Sequence, residues 1–331
     1  MMTRRLGSTG PNVSIVGLGC MGMSGIYGPS DRAESLATIH AAIAAGITLL
    51  DTGDFYGMGH NELLIRDALS GVPRDTVQIS VKFGALRGPD GAWLGYDSRP
   101  AAVKTFLGYT LQRLRCDYID IYRPARLDPD VPIEETVGAI ADLIKAGYVR
   151  HVGLSEVGAA TLRRAAAVHP IVDLQIEYSL ISRGIEAQIL PTCRELGIDI
   201  TAYGVLSRGL ISGHWDTTLV AGGKDIRPFN PRFQGANLVT NLALVDRLRG
   251  VAASIGATVA QVAIAWVAAQ GEDIIPLIGT KRRDRLKEAL GALSLELSAE
   301  QLDALTAAVP ANAAAGQRYP AAAMEHLDSE R

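Results

Sequence analysis

The feature that most constrains the fold of this chain is a repeated unit, in which an amphipathic helix, a glycine and a short apolar strand follow one another. Three copies are visible, with their glycines and following strands at Gly46 and 47–51, Gly147 and 149–154, and Gly197 and 198–203. Glycine accepts the left-handed conformation that commonly follows the last turn of a helix. Apolar runs without strict alternation are typical of strands that are buried on both faces, as in a parallel sheet.

Further apolar segments raise the number of candidate strands to eight, at 15–20, 47–51, 76–82, 117–122, 149–154, 171–176, 198–203 and 274–278. Eight strands that alternate with helices predict an α/β fold of the (β/α)₈ TIM barrel type more readily than an open sheet. An open, doubly wound parallel sheet is the alternative. Residues 207–236 are rich in Gly, Pro, Asn and Asp and predict a long connection after the seventh strand, as in a lid or binding loop.

The barrel is predicted to form one domain at 1–308, and the small and polar residues at 309–331 predict a poorly held C-terminal tail. The net charge of −3 argues against a nucleic-acid surface or a polybasic membrane anchor. Three widely spaced cysteines give neither a disulfide framework nor a metal pair. Because the sequence shows no signal peptide and no apolar run of ~18 residues, we expect a cytoplasmic protein with a small-molecule partner. Oligomeric state is not predicted.

A glycine motif near the N-terminus matches the dinucleotide fingerprint G-x-G-x-x-G at Gly17-Leu-Gly19-Cys-Met21-Gly22. That fingerprint requires a helix directly after it and an acidic residue ~20 positions further on. Here helix signals begin only at Ser30–Asp31, and Asp51 lies 29 positions after Gly22. We therefore expect a turn that lets the backbone approach a ligand at the mouth of the first strand.

An acid, a tyrosine and a lysine leave neighbouring predicted strands at the same rim. Asp51 and Tyr56 follow the second strand and Lys82 ends the third, and barrel enzymes place their active sites at this rim. A buried lysine needs a partner, which Asp51 can supply. A nearby ammonium would lower the pKa of Tyr56 from about 10 and make it a proton donor at neutral pH. A structural ion pair beside a packing tyrosine explains the spacing equally well.

Asp51-Thr-Gly-Asp-Phe-Tyr-Gly57 resembles the D-T-A-x-x-Y-G signature of the aldo-keto reductases. The segment from Arg5-Leu-Gly7 to Gly17-Leu-Gly19 is similar to the N-terminal β-hairpin and first strand of that family. Further segments resemble the family in the same order, namely Gly153–Glu156, Leu174–Tyr178, Thr201–Leu206 and Ile278–Arg282. Each similarity is weak alone, but their order along the chain is specific.

The resemblance implies NADP(H) as cofactor, with a hydride passing from the nicotinamide to a carbonyl carbon. It implies that Tyr56 protonates the carbonyl oxygen and that Asp51 and Lys82 tune Tyr56. Ser155 and Gln175 would hold the carboxamide of the cofactor, and Tyr203 would stack on the nicotinamide. The remaining implied cofactor contacts are Gly19, Met21, Asp51, Leu206, Gly279, Thr280, Lys281, Arg282, Arg285 and Glu288.

Basic residues crowd the first turns of a predicted helix that ends near Leu290, namely Lys281, Arg282, Arg283 and Arg285. Cations at a helix N-terminus oppose the macrodipole, which favours anions there. A bound phosphate would explain this arrangement, and the 2′-phosphate of NADPH fits it better than the 2′-hydroxyl of NADH. A solvated basic face is the alternative.

The chain departs from the family where a catalytic histidine is expected after the fourth strand, because Ala125 stands there. Three hypotheses follow. The first is an NADPH-dependent carbonyl reductase that lacks the histidine, with Arg123 as a replacement donor. The second is an NADPH-binding enzyme of altered chemistry, for instance reduction of a C=C bond, and the third is a non-catalytic NADPH-binding regulatory protein. Phe55, Trp93 and Arg123 are the candidate substrate residues, and we expect simple aldehydes to be poor substrates unless Arg123 supplies the missing donor.

Overall fold

Eight parallel strands close into a barrel in the computed structural model, which describes residues 1–215 and 225–331. The barrel strands are β3 (Gly17–Gly19), β4 (Leu49–Gly53), β5 (Gln78–Phe83), β8 (Ile119–Pro124), β9 (Val149–Ser155), β10 (Ile171–Glu177), β11 (Asp199–Tyr203) and β12 (Ile274–Gly279). The last strand pairs in parallel with the first through Leu277 and Gly17, which closes the sheet. The predicted (β/α)₈ barrel is therefore confirmed, with each strand within a few residues of its expected position.

Two short hairpins lie outside the barrel. The first, β1 (Thr3–Arg5) with β2 (Asn12–Ser14), is the predicted N-terminal hairpin, and it contributes Leu6 and Val13 to an apolar plug at the bottom of the barrel. The second, β6 (Ala85–Arg87) with β7 (Trp93–Tyr96), follows β5 and was not predicted. A turn with Gly91 at φ 81° joins its strands.

Helices connect the strands around the outside of the barrel. They are α1 (Arg32–Ala44), α2 (His60–Ala68), α3 (Pro100–Leu114), α4 (Ile133–Lys145), α5 (Ala159–Ala166), α6 (Ile189–Leu196), α7 (Gly235–Ile255), α8 (Val259–Ala268), α9 (Arg283–Leu290), α10 (Ala299–Ala308) and α11 (Ala321–Met324). Gly46, Gly147 and Gly197 follow three of these helices with φ of 90°, 87° and 66°, as predicted from the repeated unit. Among the described residues no single helix is long and apolar enough to cross a bilayer; α7 and α8 pass only as a pair, at 85° to each other.

The interior of the barrel changes from apolar to polar from bottom to top. Leu49 and Ile121 belong to the apolar plug at the bottom. Side chains two residues apart on a strand share a face, so Asp51 and Arg123 form the next layer up and Ala125 the one above that. The charged groups of the interior consequently lie toward the carboxyl ends of the strands.

The connection after β11 and the C-terminal segment both cross this upper end of the barrel. The predicted long connection at 207–236 contains three short 3₁₀ turns, and its residues 216–224 lie outside the described residues. The expectation of a poorly held tail at 309–331 is wrong. Arg318 is buried there and forms ion pairs with Glu156 and Glu177, and Leu327 is buried as well. Composition alone did not reveal these buried ionic contacts.

Candidate active site

A closed set of hydrogen bonds links Asp51, Lys82 and Gln175 at the carboxyl ends of three strands. Lys82 Nζ donates to Asp51 Oδ1 at 2.6 Å and to Gln175 Oε1 at 2.8 Å. Gln175 Nε2 donates to Asp51 Oδ2 at 2.7 Å. All three side chains are buried. Because Lys82 donates to two side chains that are hydrogen-bonded to each other, this arrangement holds the lysine in a fixed position. The sequence predicted the ion pair, and its link through Gln175 is an additional finding.

Tyr56 lies beside this lysine in the turn that follows β4. Its amide donates to the carbonyl of Gly53 at 3.0 Å, and its ring packs edge-on against Phe55 with centroids 4.8 Å apart. Lys82 Nζ is 5.2 Å from the centroid of the Tyr56 ring. The expectation that the tyrosine pKa is lowered is wrong in this structure. Burial, followed by the charge of Asp51, raises the pKa of the Tyr56 phenol well above its usual value.

Asn61, which was not predicted, holds together the loops that carry these residues. This fully buried side chain accepts from Thr52 Oγ1 at 2.7 Å. Its amide nitrogen donates to the carbonyl of Cys20 and to Ser24 Oγ, each at 2.8 Å. The loops after β3 and β4 are therefore fixed to each other next to Tyr56. Its burial is visible only in the structure, and the sequence shows no more than an asparagine near the start of a helix.

Arg123 is not exposed at the mouth of the barrel, where a replacement donor was predicted. Its side chain is fully buried inside the barrel, where Nη2 donates to Asp173 Oδ2 at 2.8 Å and to Ser80 Oγ at 2.9 Å. It shares a face of β8 with Ala125 but lies two residues, or roughly 6–7 Å, deeper in the barrel. Gly153 makes the room, since a Cβ there would come within 2.5 Å of Asp173 Oδ1.

Ala125 directly follows β8 at the mouth of the barrel and is buried. Its amide donates to the carbonyl of Phe83 at 2.8 Å, which joins the ends of β8 and β5. The next residue, Arg126, donates from Nη1 to the carbonyl of Ala125 at 2.6 Å and contacts Ser155 Oγ at 3.5 Å. The predicted site therefore gains a cation that the sequence analysis overlooked, next to Ser155 at the end of β9.

Tyr203, at the end of β11, is held by acidic and phenolic partners. Its hydroxyl donates to Glu156 Oε1 at 2.6 Å and lies 2.8 Å from the hydroxyl of Tyr319. Burial and then the charge of Glu156 raise the pKa of the Tyr203 phenol. Arg318 pairs with Glu156 at 2.9 Å, so the C-terminal segment closes this side of the mouth. The sequence predicted Tyr203 but neither Glu156 nor the C-terminal residues.

The loop beyond Tyr203 has unsatisfied polar atoms that suit a phosphate-bearing ligand. Leu206 begins a 3₁₀ turn in which Ser207 and Arg208 have φ of 45° and 57°. Ser207 Oγ and Arg208 Nη1 are buried without a hydrogen-bond partner among residues 1–215 and 225–331. Gly19 at the end of β3 pairs with Gly279 at the end of β12. Met21, two residues after Gly19, is half-buried. Buried donors without partners are the feature that a bound dinucleotide would satisfy.

The basic cluster around α9 is paired rather than free. Arg282 lies 2.5 Å from Asp284, and Arg285 lies 3.1 Å from Glu288, which also accepts from His214 at 2.8 Å. Lys281 has a different position from the predicted phosphate contact. Its ammonium donates to the carbonyls of Tyr27, Gly28 and Pro29 and so fastens the loop after β3. Gly279 is the last residue of β12, and Thr280 separates it from this lysine.

The aromatic candidates lie at the edge of the mouth. Trp93 is half-exposed on the unpredicted hairpin and packs edge-on against Tyr96, with centroids 4.9 Å apart. His326, from the C-terminal segment, lies 5.5 Å from the ring of Tyr96. Phe55 contacts Tyr56 directly. In the described part of the chain no group of three or more His, Cys, Asp or Glu side chains is arranged to hold a metal ion.

Comparison with known proteins shows which family the chain resembles. Residues 15–310 match the model of the aldo/keto reductase family. The chain is 43% identical over 318 residues to "Probable aldo-keto reductase 1" of Glycine max, covering 95% of this chain and 91% of that protein. The glycerol dehydrogenase AKR11B4 from Gluconobacter oxydans has a similar structure, with a TM-score of 0.83, 29% identity and coverage of 93% and 96% of the two chains.

The holo form of the aldo-keto reductase AKR11C1 from Bacillus halodurans is also similar, with a TM-score of 0.77, 26% identity and coverage of 94% of this chain and 97% of that one. The family match spans nearly the whole barrel, including the segments that carry Asp51, Tyr56, Lys82 and Gln175. Members of this family generally use a nicotinamide cofactor and act on small-molecule carbonyl compounds. This chain therefore belongs to the aldo/keto reductase family of oxidoreductases.

Proposed function

We propose that the protein is an NADPH-dependent carbonyl reductase of the cytoplasm in which Tyr56 donates the proton. The observation that carries this proposal is the position of the Tyr56 ring 5.2 Å from Lys82 Nζ, which is itself held by Asp51 and Gln175. A cofactor bound at this rim supplies the hydride that reduces the carbonyl carbon. The protein must then supply a proton to the carbonyl oxygen and hold the reactants in a fixed orientation.

The raised pKa of the Tyr56 phenol suits a group that must keep its proton until the reaction requires it. Burial and the charge of Asp51 keep the phenol neutral throughout the physiological range. The oxygen that develops during carbonyl reduction is an alkoxide, which is a stronger base than a phenolate and therefore takes the proton. The ammonium of Lys82 then stabilises the phenolate that is left behind.

Several residues would hold the cofactor along the mouth of the barrel. Ser155 and Tyr203 would contact the nicotinamide end, where Gln175 keeps one amide hydrogen free after its bond to Asp51. The unpartnered Ser207 Oγ and Arg208 Nη1 would donate to the pyrophosphate. The remaining proposed contacts are Gly19, Met21, Leu206, Gly279, Thr280, Arg282, Arg285 and Glu288.

Oxidation of NADPH in the presence of a panel of aldehydes and ketones tests this proposal. We expect turnover with at least one class of carbonyl compound and the formation of the matching alcohol. Ala125 provides reason for a second candidate, the reduction of an activated C=C bond, because its small side chain leaves space where a histidine would orient a carbonyl. An activated alkene in the same panel distinguishes the two reactions by their products.

We predict that NADPH binds more tightly than NADH, because Arg282 and Arg285 lie at the start of α9. Both arginines pair with carboxylates, Asp284 and Glu288, but such solvent-accessible ion pairs contribute only about 0–1 kcal/mol. The arginines can therefore rearrange to bind a phosphate. Arg285→Ala should weaken NADPH binding by about 10–100-fold, as expected for one charge-assisted hydrogen bond, and should change NADH binding little. Fluorescence titration measures both affinities.

The exposed Arg164, which pairs with Glu134 on α4, gives a matched control for this prediction. Arg164→Ala removes the same side chain far along the chain from α9 and should leave both cofactor affinities unchanged. Equal affinities of the parent protein for NADPH and NADH would contradict the proposed preference.

A further inference from the structure

Arg126 is a cation at the mouth of the barrel for which the proposed reaction, as described so far, has no use. Nη1 donates to the carbonyl of Ala125 at 2.6 Å and contacts Ser155 Oγ at 3.5 Å. The guanidinium also lies over the ring of Tyr319, 5.9 Å from its centroid. These contacts hold it next to Ala125.

The rest of the guanidinium is available. Among residues 1–215 and 225–331, Nε and Nη2 of Arg126 donate to no acceptor, and no carboxylate lies within 4.0 Å of the group. Neither nitrogen is among the fully buried side-chain atoms that lack a hydrogen-bond partner in this part of the chain. Both are therefore accessible. Two adjacent N–H groups on one edge of a planar guanidinium match the two oxygens of a carboxylate.

Nearby acids do not neutralise this charge. Glu156 pairs with Arg318, and Glu177 is shared by Arg208, Arg232 and Arg318. Phenols surround Arg126, and its charge acts on those of Tyr203, Tyr319 and Tyr96 and, from beyond ion-pair distance, on Glu156. The same charge acts on Tyr56, which places the guanidinium within electrostatic range of the proton donor. The mouth is consequently positive next to the reacting position.

We propose that Arg126 binds a carboxylate of the substrate, so that the carbonyl compound reduced at this site is an oxo acid. This inference rests on the proposed function and specifies its substrate class. The carboxylate accepts from the free Nε–Nη2 edge of Arg126, while the reacting carbonyl lies toward Tyr56. Ala125 supplies the space between these two groups, and the substrate's own ionic contact replaces the orientation that a histidine would give.

Succinic semialdehyde and its methyl ester, methyl 4-oxobutanoate, test the inference because they differ only in the charged group. We expect the parent enzyme to have a kcat/KM at least ~10-fold higher for the acid than for the ester. Arg126→Gln should lower kcat/KM for the acid by about 10²-fold, the effect of losing a charge-assisted bidentate contact, and should change that for the ester by less than ~3-fold. Arg126→Lys should retain part of the activity with the acid.

Binding of succinate gives a readout that does not depend on turnover. Calorimetry on the NADP⁺-loaded protein should show that Arg126→Gln binds succinate at least ~10-fold more weakly than the parent. Arg247→Gln is the matched control, because Arg247 is exposed on α7. This variant should bind succinate as tightly as the parent does.

The outcomes separate this inference from the proposed function. Reduction of the ester and of neutral aldehydes at rates equal to or above that of the acid would overturn the role of Arg126 and leave the carbonyl reductase standing. Equal losses for acid and ester in Arg126→Gln would overturn it as well, since the residue would then act on the reacting oxygen or on the fold. Absence of NADPH oxidation with any carbonyl compound would overturn both.

Discussion

Replacing Tyr56 with phenylalanine is expected to lower kcat by about 10²–10⁴-fold, the usual contribution of a positioned general acid. The substitution removes one oxygen atom from a ring that packs edge-on against Phe55. Packing and the neighbouring Asp51–Lys82 ion pair should survive, and cofactor affinity should therefore remain close to that of the parent. Steady-state NADPH oxidation and fluorescence titration measure the two quantities on the same preparation.

Tyr109→Phe is the matched control for this prediction, because Tyr109 is exposed on α3 and loses the same oxygen. It should keep the parent rate. Retention of most of the turnover by Tyr56→Phe would show that another acid protonates the substrate, and the account of the site given above would then be wrong.

The largest expected effect on stability comes from Arg123→Met. Asp173 and Arg123 are both fully buried, and removal of the arginine leaves the Asp173 carboxylate without its counter-ion inside the barrel. Breaking a buried ion pair in this way costs about 3–5 kcal/mol, which is a large part of the stability of a typical domain. Urea denaturation of parent and variant measures the difference in the free energy of unfolding.

Two further variants separate the lost charge from the lost side chain. Arg164→Met breaks an exposed pair with Glu134 and should cost no more than about 1 kcal/mol. Adding Asp173→Leu to Arg123→Met removes both charges and should recover much of the lost stability, because apolar replacements of buried pairs are often neutral. A cost below 1 kcal/mol for Arg123→Met would contradict the buried ion pair and reopen a role for Arg123 at the mouth.

Periodicity predicted the barrel because each strand and helix buries the face that its apolar residues define. The strands were expected a few residues early, as at 47–51 against the observed Leu49–Gly53. The hairpin that carries Trp93 was missed because its strands are short and half-exposed. The packed C-terminal segment was missed because two of the ionic partners of Arg318, Glu156 and Glu177, are more than 140 residues away in sequence.

The predicted positions of the side chains agree with the structure where one strand end determines them and differ where depth in the barrel decides. Asp51 and Lys82 meet as expected from their strands. Arg123 was placed on the correct face but one layer too high, and its neighbour Arg126 was overlooked. The pKa of Tyr56 was predicted in the wrong direction because burial raises it and the charge of Asp51 adds to that effect. Sequence spacing contains no information on how deep a side chain lies in the barrel or on how far a phenol is buried.

Transfer of deuterium from NADPH deuterated at both C4 positions tests the central claim most directly. With a carbonyl substrate such as succinic semialdehyde, mass spectrometry and NMR of the product should locate one deuterium on the former carbonyl carbon, now bearing a hydroxyl group. The hydroxyl proton should come from solvent, which is the source of the proton that Tyr56 holds. An alcohol product without deuterium at that carbon, or deuterium found only in a reduced C=C bond of an alkene substrate, would contradict carbonyl reduction at this site.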